Sequence, residues 1–225
     1  VAYLSLDIRP PTRDAWMLPG IVLSFFPMLA IMYFFNQQLV LPPFLSGLED
    51  KIQEMEEQSE LFIKAMLETK QVTLLIANML LVAVLPAICE EIFFRGTVMK
   101  ILYGKTRDIH LAIIFSAFLF SFFHFQFYGF LPRMALGMLF GYLYWWSGSL
   151  WTPVIAHLIN NAWQVYAAYL YYNGTSEINM DDVDMFPLST TAMSTAGFFL
   201  LCYLYFNASR LQQFLQNNDS KLGKN

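Results

Sequence analysis

Six apolar stretches follow one another along this chain, roughly Met17–Leu39, Val72–Lys100, His110–Phe127, Leu131–Trp146, Leu150–Tyr172 and Thr191–Asn207. A helix needs about 20 apolar residues to cross a bilayer, and most of these stretches are near that length. Composition points the same way. Hydrophobic residues make up 57% and charged residues 13%, whereas soluble domains carry about 25% charged residues. The expected fold is all-α: a polytopic membrane helix bundle of about six transmembrane helices plus an amphipathic surface helix.

The segments between the stretches fill in the organisation. Residues 44–70 are charged and helix-prone, and Leu48, Ile52, Met55, Leu61, Phe62, Ala65 and Met66 give them a broken apolar face. They read as an amphipathic connector helix, either a solvated link or a gate over a substrate site. Residues 1–210 read as a single transmembrane domain and 211–225 as a polar tail, with fraying expected from about residue 208. Residues 173–190 form an acidic loop without lysine or arginine. The third stretch is short, and the turn YGFLP at 128–132 is expected to need cover from protein or a wet cavity. Tryptophans and tyrosines near the ends (Trp16, Trp145, Trp146, Trp151, Tyr171, Tyr172) fit an interfacial belt. Arg9, Arg13, Lys100, Lys105, Arg107, Arg210, Lys221 and Lys224 fall on one side of a six-span arrangement, taken as cytoplasmic. Lys51, Lys64 and Lys70 fall opposite, among many acids. The chain starts at Val1, which leaves room for upstream spans.

Some classes are excluded. With a net charge of −4 and no basic patch, nucleic acid is not an expected partner. Cys89 and Cys202 lie far apart in apolar runs and read as buried thiols. HExxH does not occur, and no serine or cysteine neighbours a histidine as a plausible nucleophile.

Ionisable groups inside spans cost about 2.5–3.5 kcal/mol each on insertion scales and commonly mark function. Here polar groups form three clusters. In CEEIFFRG, Glu91 and Arg95 are four apart and can pair on one helix face, which leaves Glu90 without a local partner. Pro86, one turn earlier, removes the backbone hydrogen bond to Val82 and should bend the helix. In FSFFHFQF, His124 is the strongest polar group of an aromatic run. In HLINNAWQ, His157 and Asn161 are four apart, with Asn160 and Gln164 near the same face. Each cluster alone also fits structural pairing or interhelical hydrogen bonding. Together they supply a poorly solvated glutamate as general base and imidazole and amide groups for holding water or an oxyanion. Those are the parts for water attack on an amide.

These residues resemble the CAAX protease and bacteriocin-processing family. EEIFFRG matches its EExxxR motif, Phe120 to His124 its FxxxH motif, and His157 to Asn161 its HxxxN motif, in the family's order. The resemblance covers roughly residues 70–170. It implies a membrane-embedded endopeptidase, similar to the type 2 CAAX prenyl endopeptidase, with a conical cavity opening to membrane and cytosol. By position it implies Glu90 as the base, His124 as holder of the attacking water, and His157 with Asn161 as the oxyanion site. Glu91 and Arg95 would be the supporting pair. No tightly bound metal is expected, since Arg95 beside Glu91 disfavours a cation on both carboxylates. If zinc binds, Glu90, His124 and His157 are its expected ligands. The expected partners are membrane lipid and a peptide or membrane-anchored protein, and the expected location is a bacterial inner membrane, multi-pass. Oligomeric state and substrate are open. Two other readings stay beside the protease: a catalytically silent peptide-binding or immunity protein, and a proton-coupled transporter, for which no inverted repeat is visible.

Packing gives one further expectation. On a straight third span, His124 and His157 would sit about 10 Å or more apart in depth. Gly137 and Gly141 form a GxxxG pair that permits the close helix approach needed to level them.

Overall fold

A computed structural model describes residues 15–39, 42–176 and 187–222. Arg9, Arg13, Lys224 and most of the acidic loop therefore lie outside the described residues. The elements run α1 (Met17–Gln37), a 3-10 turn (Pro43–Leu45), α2 (Ser46–Leu67), α3 (Val72–Asn78), α4 (Leu85–Phe93), α5 (Met99–Thr106), α6 (Ile109–Phe122), α7 (Phe130–Ser147), α8 (Trp151–Tyr172) and α9 (Leu188–Leu222). No strand occurs among the described residues, and the all-α class holds.

Helices α3 to α5 form one rod, Val72–Thr106, joined by π-helical segments at Met79–Val84 and Phe94–Val98. Among the described residues, three helical stretches are long and apolar enough to cross a membrane: Met17–Gln37, Val72–Thr106 and Leu188–Leu211. Helix α6 is apolar but shorter, at 14 residues. Helix α7, which carries Arg133, and helix α8, which carries His157, Asn160 and Asn161, lie outside that set. Leu74, Leu81, Leu85 and Ile88 stay exposed along the rod. Such a continuous apolar face is stable against lipid, not water.

The core is built by α1, α7, α8 and α9. Leu18, Ile21, Val22, Phe25 and Leu29 of α1 pack with Leu139, Phe140 and Leu143 of α7, Ala156 of α8, and Phe198, Cys202 and Tyr205 of α9. Phe25 and Phe198 stack at 4.4 Å. A second cluster joins Met99 of α5, Ala112 and Ile113 of α6, and Tyr144 of α7.

Three expectations change. Cys202 is buried, but Cys89 is exposed, because its side of the rod faces away from the bundle. Helix α9 continues to Leu222, past the expected start of fraying, since no proline or glycine interrupts it before Gly223. In α2, Met55 and Phe62 are exposed, Leu61 and Ile63 line a cavity, and Glu56 is 6% exposed and points in. Its apolar residues are thus divided between the outside and the cavity, and a carboxylate faces the protein.

The GxxxG pair lies where α6 crosses α7. A Cβ on Gly137 would stand 3.0 Å from Ala117 Cβ and 3.1 Å from its Cα, and one on Gly141 would stand 2.9 Å from Ile113 Cγ2. Overpacking of such a contact costs about 1–3 kcal/mol. Gly137→Val should therefore lower the unfolding midpoint of the detergent-solubilised protein, and an unchanged midpoint would show that the crossing tolerates a side chain.

Candidate active site

The two π segments bracket α4, which carries Glu90 and Glu91. Pro86 lacks an N–H, so the carbonyl of Val82 loses its helical partner. Asn161 Nδ2 of α8 donates to that oxygen at 3.1 Å. The bend expected from Pro86 is thus tied to the helix carrying the HxxxN residues. Asn161 Oδ1 in turn accepts from Asn160 Nδ2 at 2.9 Å.

Glu91 and Arg95 are 0% and 1% exposed and pair at 2.9 Å. The pair does more than balance charge within one helix. Arg95 Nη2 donates to the carbonyl of Gly137 at 2.8 Å, and Glu91 Oε1 lies 2.8 Å from His157 Nδ1. The guanidinium also sits 4.8 Å from the ring centre of Phe120, the first residue of FxxxH. Phe140 stacks on the His157 ring at 4.9 Å. One buried ion pair therefore joins α4, α7 and α8, and fixes the plane and direction of His157.

His124 is not on α6 at all. The helix ends at Phe122, and Phe125 takes a left-handed φ of 53°. The turn occupies residues 123–129, several positions earlier than the sequence signal at 128–132. His124 Nδ1 lies 2.6 Å from the Phe120 carbonyl. A carbonyl can only accept, so Nδ1 carries the proton. The early turn removes the depth mismatch of a straight span. His124 Nε2 and His157 Nε2 lie 3.8 and 3.9 Å from the same atom, Glu90 Oε2.

Buried polar side chains hold this turn, which satisfies the requirement that irregular backbone away from water be covered. Asn36 of α1 donates to the Phe127 carbonyl at 2.6 Å and accepts from the Leu131 N–H at 2.9 Å. The Tyr128 N–H donates to Glu56 Oε1 at 2.7 Å. Ser121 Oγ donates to the Phe130 carbonyl at 2.7 Å.

Glu90, His124, His157, Asn160 and Asn161 all line a cavity of about 1290 Å³. Glu90 is about a quarter exposed, and its Oε2 makes no hydrogen bond among the described residues. Arg133, Gln126 and Glu56 line the same cavity, and sequence reasoning passed over them. Arg133 had a signal: it is the only charged residue in the stretch Leu131–Trp146.

Zinc can be tested against this geometry. Two imidazole nitrogens and a carboxylate are suitable donors. Gaps of 3.8 and 3.9 Å are slightly wider than the roughly 3.3–3.5 Å between ligand atoms bonded at about 2.0–2.2 Å in a tetrahedron. No set of three or more His, Cys, Asp or Glu side chains is close enough to hold an ion among the described residues. The donor types fit, and the set is more open than a closed metal site.

Residues 72–163 match the family model for Type II CAAX prenyl endopeptidase Rce1-like. The matched segment contains all three motifs, from α3 to α8. Comparison with curated proteins and with solved structures returns no match.

Breaking a buried pair strands one charge and costs about 3–5 kcal/mol. Arg95→Met should accordingly lower the unfolding midpoint sharply. Adding Glu91→Gln should recover a large part of the loss, because the stranded charge is gone. A double variant no more stable than the single one would mean that the Gly137 and Phe120 contacts, not charge matching, dominate.

Proposed function

We propose, from the membership of residues 72–163 in that protease family, that the chain is an intramembrane endopeptidase in which Glu90 activates water. The observation that carries this reading is the convergence of His124 Nε2 and His157 Nε2 on Glu90 Oε2 at 3.8 and 3.9 Å. Both gaps are too long for direct hydrogen bonds, which leaves Glu90 Oε2 to a water.

The chemistry follows from the donors and acceptors. With Nδ1 protonated, neutral His124 presents a lone pair at Nε2. It accepts one proton of the water as a hydrogen bond, while Glu90 removes the other as the oxygen attacks the carbonyl carbon. The new oxyanion is held by the Nε2–H of His157 and by the Nδ2–H of Asn161 not given to Val82. Glu91 Oε1 accepts from His157 Nδ1, so donation from Nε2 as well needs both ring nitrogens to carry a proton. As the tetrahedral centre collapses, the C–N bond breaks and Glu90 returns its proton to the leaving amine. Glu91 and Arg95 orient His157 and touch no reacting atom.

This route needs no metal. Were a divalent ion such as zinc bound, Glu90, His124 and His157 would hold it, and it would supply Lewis-acid activation of water. The substrate is a peptide or protein presented at the membrane, with lipid as the surrounding solvent. The proposal includes a multi-pass placement in a bacterial inner membrane, which cell fractionation tests.

Glu90→Gln should lower peptide cleavage by about a thousandfold or more, the scale on which a catalytic base and the nucleophile it activates are lost together. The unfolding midpoint should stay near that of the parent, because Glu90 Oε2 has no hydrogen-bond partner to lose. Retained cleavage would remove Glu90 from the mechanism. Retained peptide binding or protection with no cleavage by the parent protein would favour a silent binding protein. Activity should also survive exhaustive chelation, and its loss with recovery on zinc addition would replace the metal-free route.

A further inference from the structure

A guanidinium on the cavity wall is not used by the chemistry above. Arg133 belongs to the first turn of α7, where the helix dipole disfavours a cation. Its position is not explained by helix stability. Nor does an ion pair explain it: among the described residues no carboxylate lies within 4 Å of it. Glu56, the carboxylate on the facing helix, lies within electrostatic reach but gives Oε1 to the Tyr128 N–H.

The group is nonetheless held in place. Nη1 donates to the Gln126 carbonyl at 3.3 Å and Nη2 to Gln126 Oε1 at 2.5 Å. Gly129 leaves room for the fork, since a Cβ there would stand 3.0 Å from Nη2. Both hydrogen bonds go to neutral groups, so the fork is fixed in direction while Glu56 and Glu90 act on its charge only from beyond 4 Å. An arginine has five donors, and two are used here. Arg133, Glu90 and His124 line one cavity and lie within electrostatic reach of one another.

We propose that Arg133 is a specificity residue that receives a carboxylate of the substrate while Glu90 faces the bond to be cut. A fixed guanidinium matches a carboxylate in two-point geometry. In a cavity lined largely by apolar groups, a matched carboxylate gains far more than in water. The carboxylate has two possible sources, the C-terminus of the peptide or an acidic side chain near the cleaved bond. This inference rests on the hydrolase reading for its meaning, but not for its test.

The experiment uses the whole chain in lipid nanodiscs and peptides carrying an apolar anchor. One pair of peptides differs only in a C-terminal acid against a C-terminal amide. A second pair differs only in glutamate against glutamine beside the cleavable segment. Both cleavage (kcat/KM) and equilibrium binding are measured. The parent protein should prefer the acid member of one pair by about tenfold or more, the size of a charge-assisted contact, and the pair affected identifies the source. Arg133→Gln should collapse that ratio towards one, and Arg133→Lys should keep part of it. A parent protein that binds and cuts both members of both pairs alike overturns the proposal, whatever the variants do. So does an unchanged preference in a folded Arg133→Gln protein. If the parent protein binds the acid peptide selectively and cuts nothing, the hydrolase reading fails while the role of Arg133 stands.

Discussion

The site depends on one buried ion pair. Glu91 and Arg95 sit where nothing solvates them, and their desolvation is offset through the partners they reach, although Glu91 Oε2 makes no hydrogen bond among the described residues. Arg95 meets Glu91, the Gly137 carbonyl and the face of Phe120, and Glu91 meets Arg95 and His157. Removing any of these partners exposes the rest to an unmatched charge in a low-dielectric setting. The pair thereby does what a hydrophobic contact could not: it sets the rotation of α4 against α7 and α8, and with it the direction in which Glu90 points.

Adjacent glutamates on one helix divide the work by geometry. Residues one apart project about 100° from each other, so when Glu91 is turned into the bundle Glu90 must face the cavity. The π segments and Pro86 support this arrangement, because the altered backbone leaves the Val82 carbonyl for Asn161 to satisfy. A residue of the HxxxN pattern thus serves the scaffold with one amide proton, and the proposed mechanism gives its other proton to the oxyanion.

Local spacing made part of this readable. The four-residue separation of Glu91 and Arg95, the carbonyl freed by Pro86 and the close approach at Gly137 and Gly141 all follow from helix geometry. What spacing does not carry is the partner in space. The bond from Glu91 to His157 joins residues 66 apart. The Asn36 and Glu56 side chains that hold the His124 turn come from helices far upstream of it. The turn begins before its sequence signal, because Gly129 and Pro132 mark a turn while the break occurs at Phe125, a residue with no such signature. Of the six apolar stretches, α6 is short and α7 and α8 spend part of their faces on polar and small residues, so length and composition alone single out three. Cys89 shows the same limit, because apolar neighbours in sequence do not tell a protein-facing side of a helix from an outward-facing one.

The central claim is that a peptide enters the cavity with its carbonyl carbon facing residue 90 and its carbonyl oxygen facing His157. An experimental structure of the Glu90→Gln protein with an uncleaved anchored peptide measures this directly. The account predicts the carbonyl carbon within about 4 Å of the residue 90 side chain, near the distance for attack through one water, and the oxygen within hydrogen-bond reach of His157 Nε2. A peptide bound elsewhere, or seated in the cavity with its backbone beyond reach of both imidazoles, would contradict it.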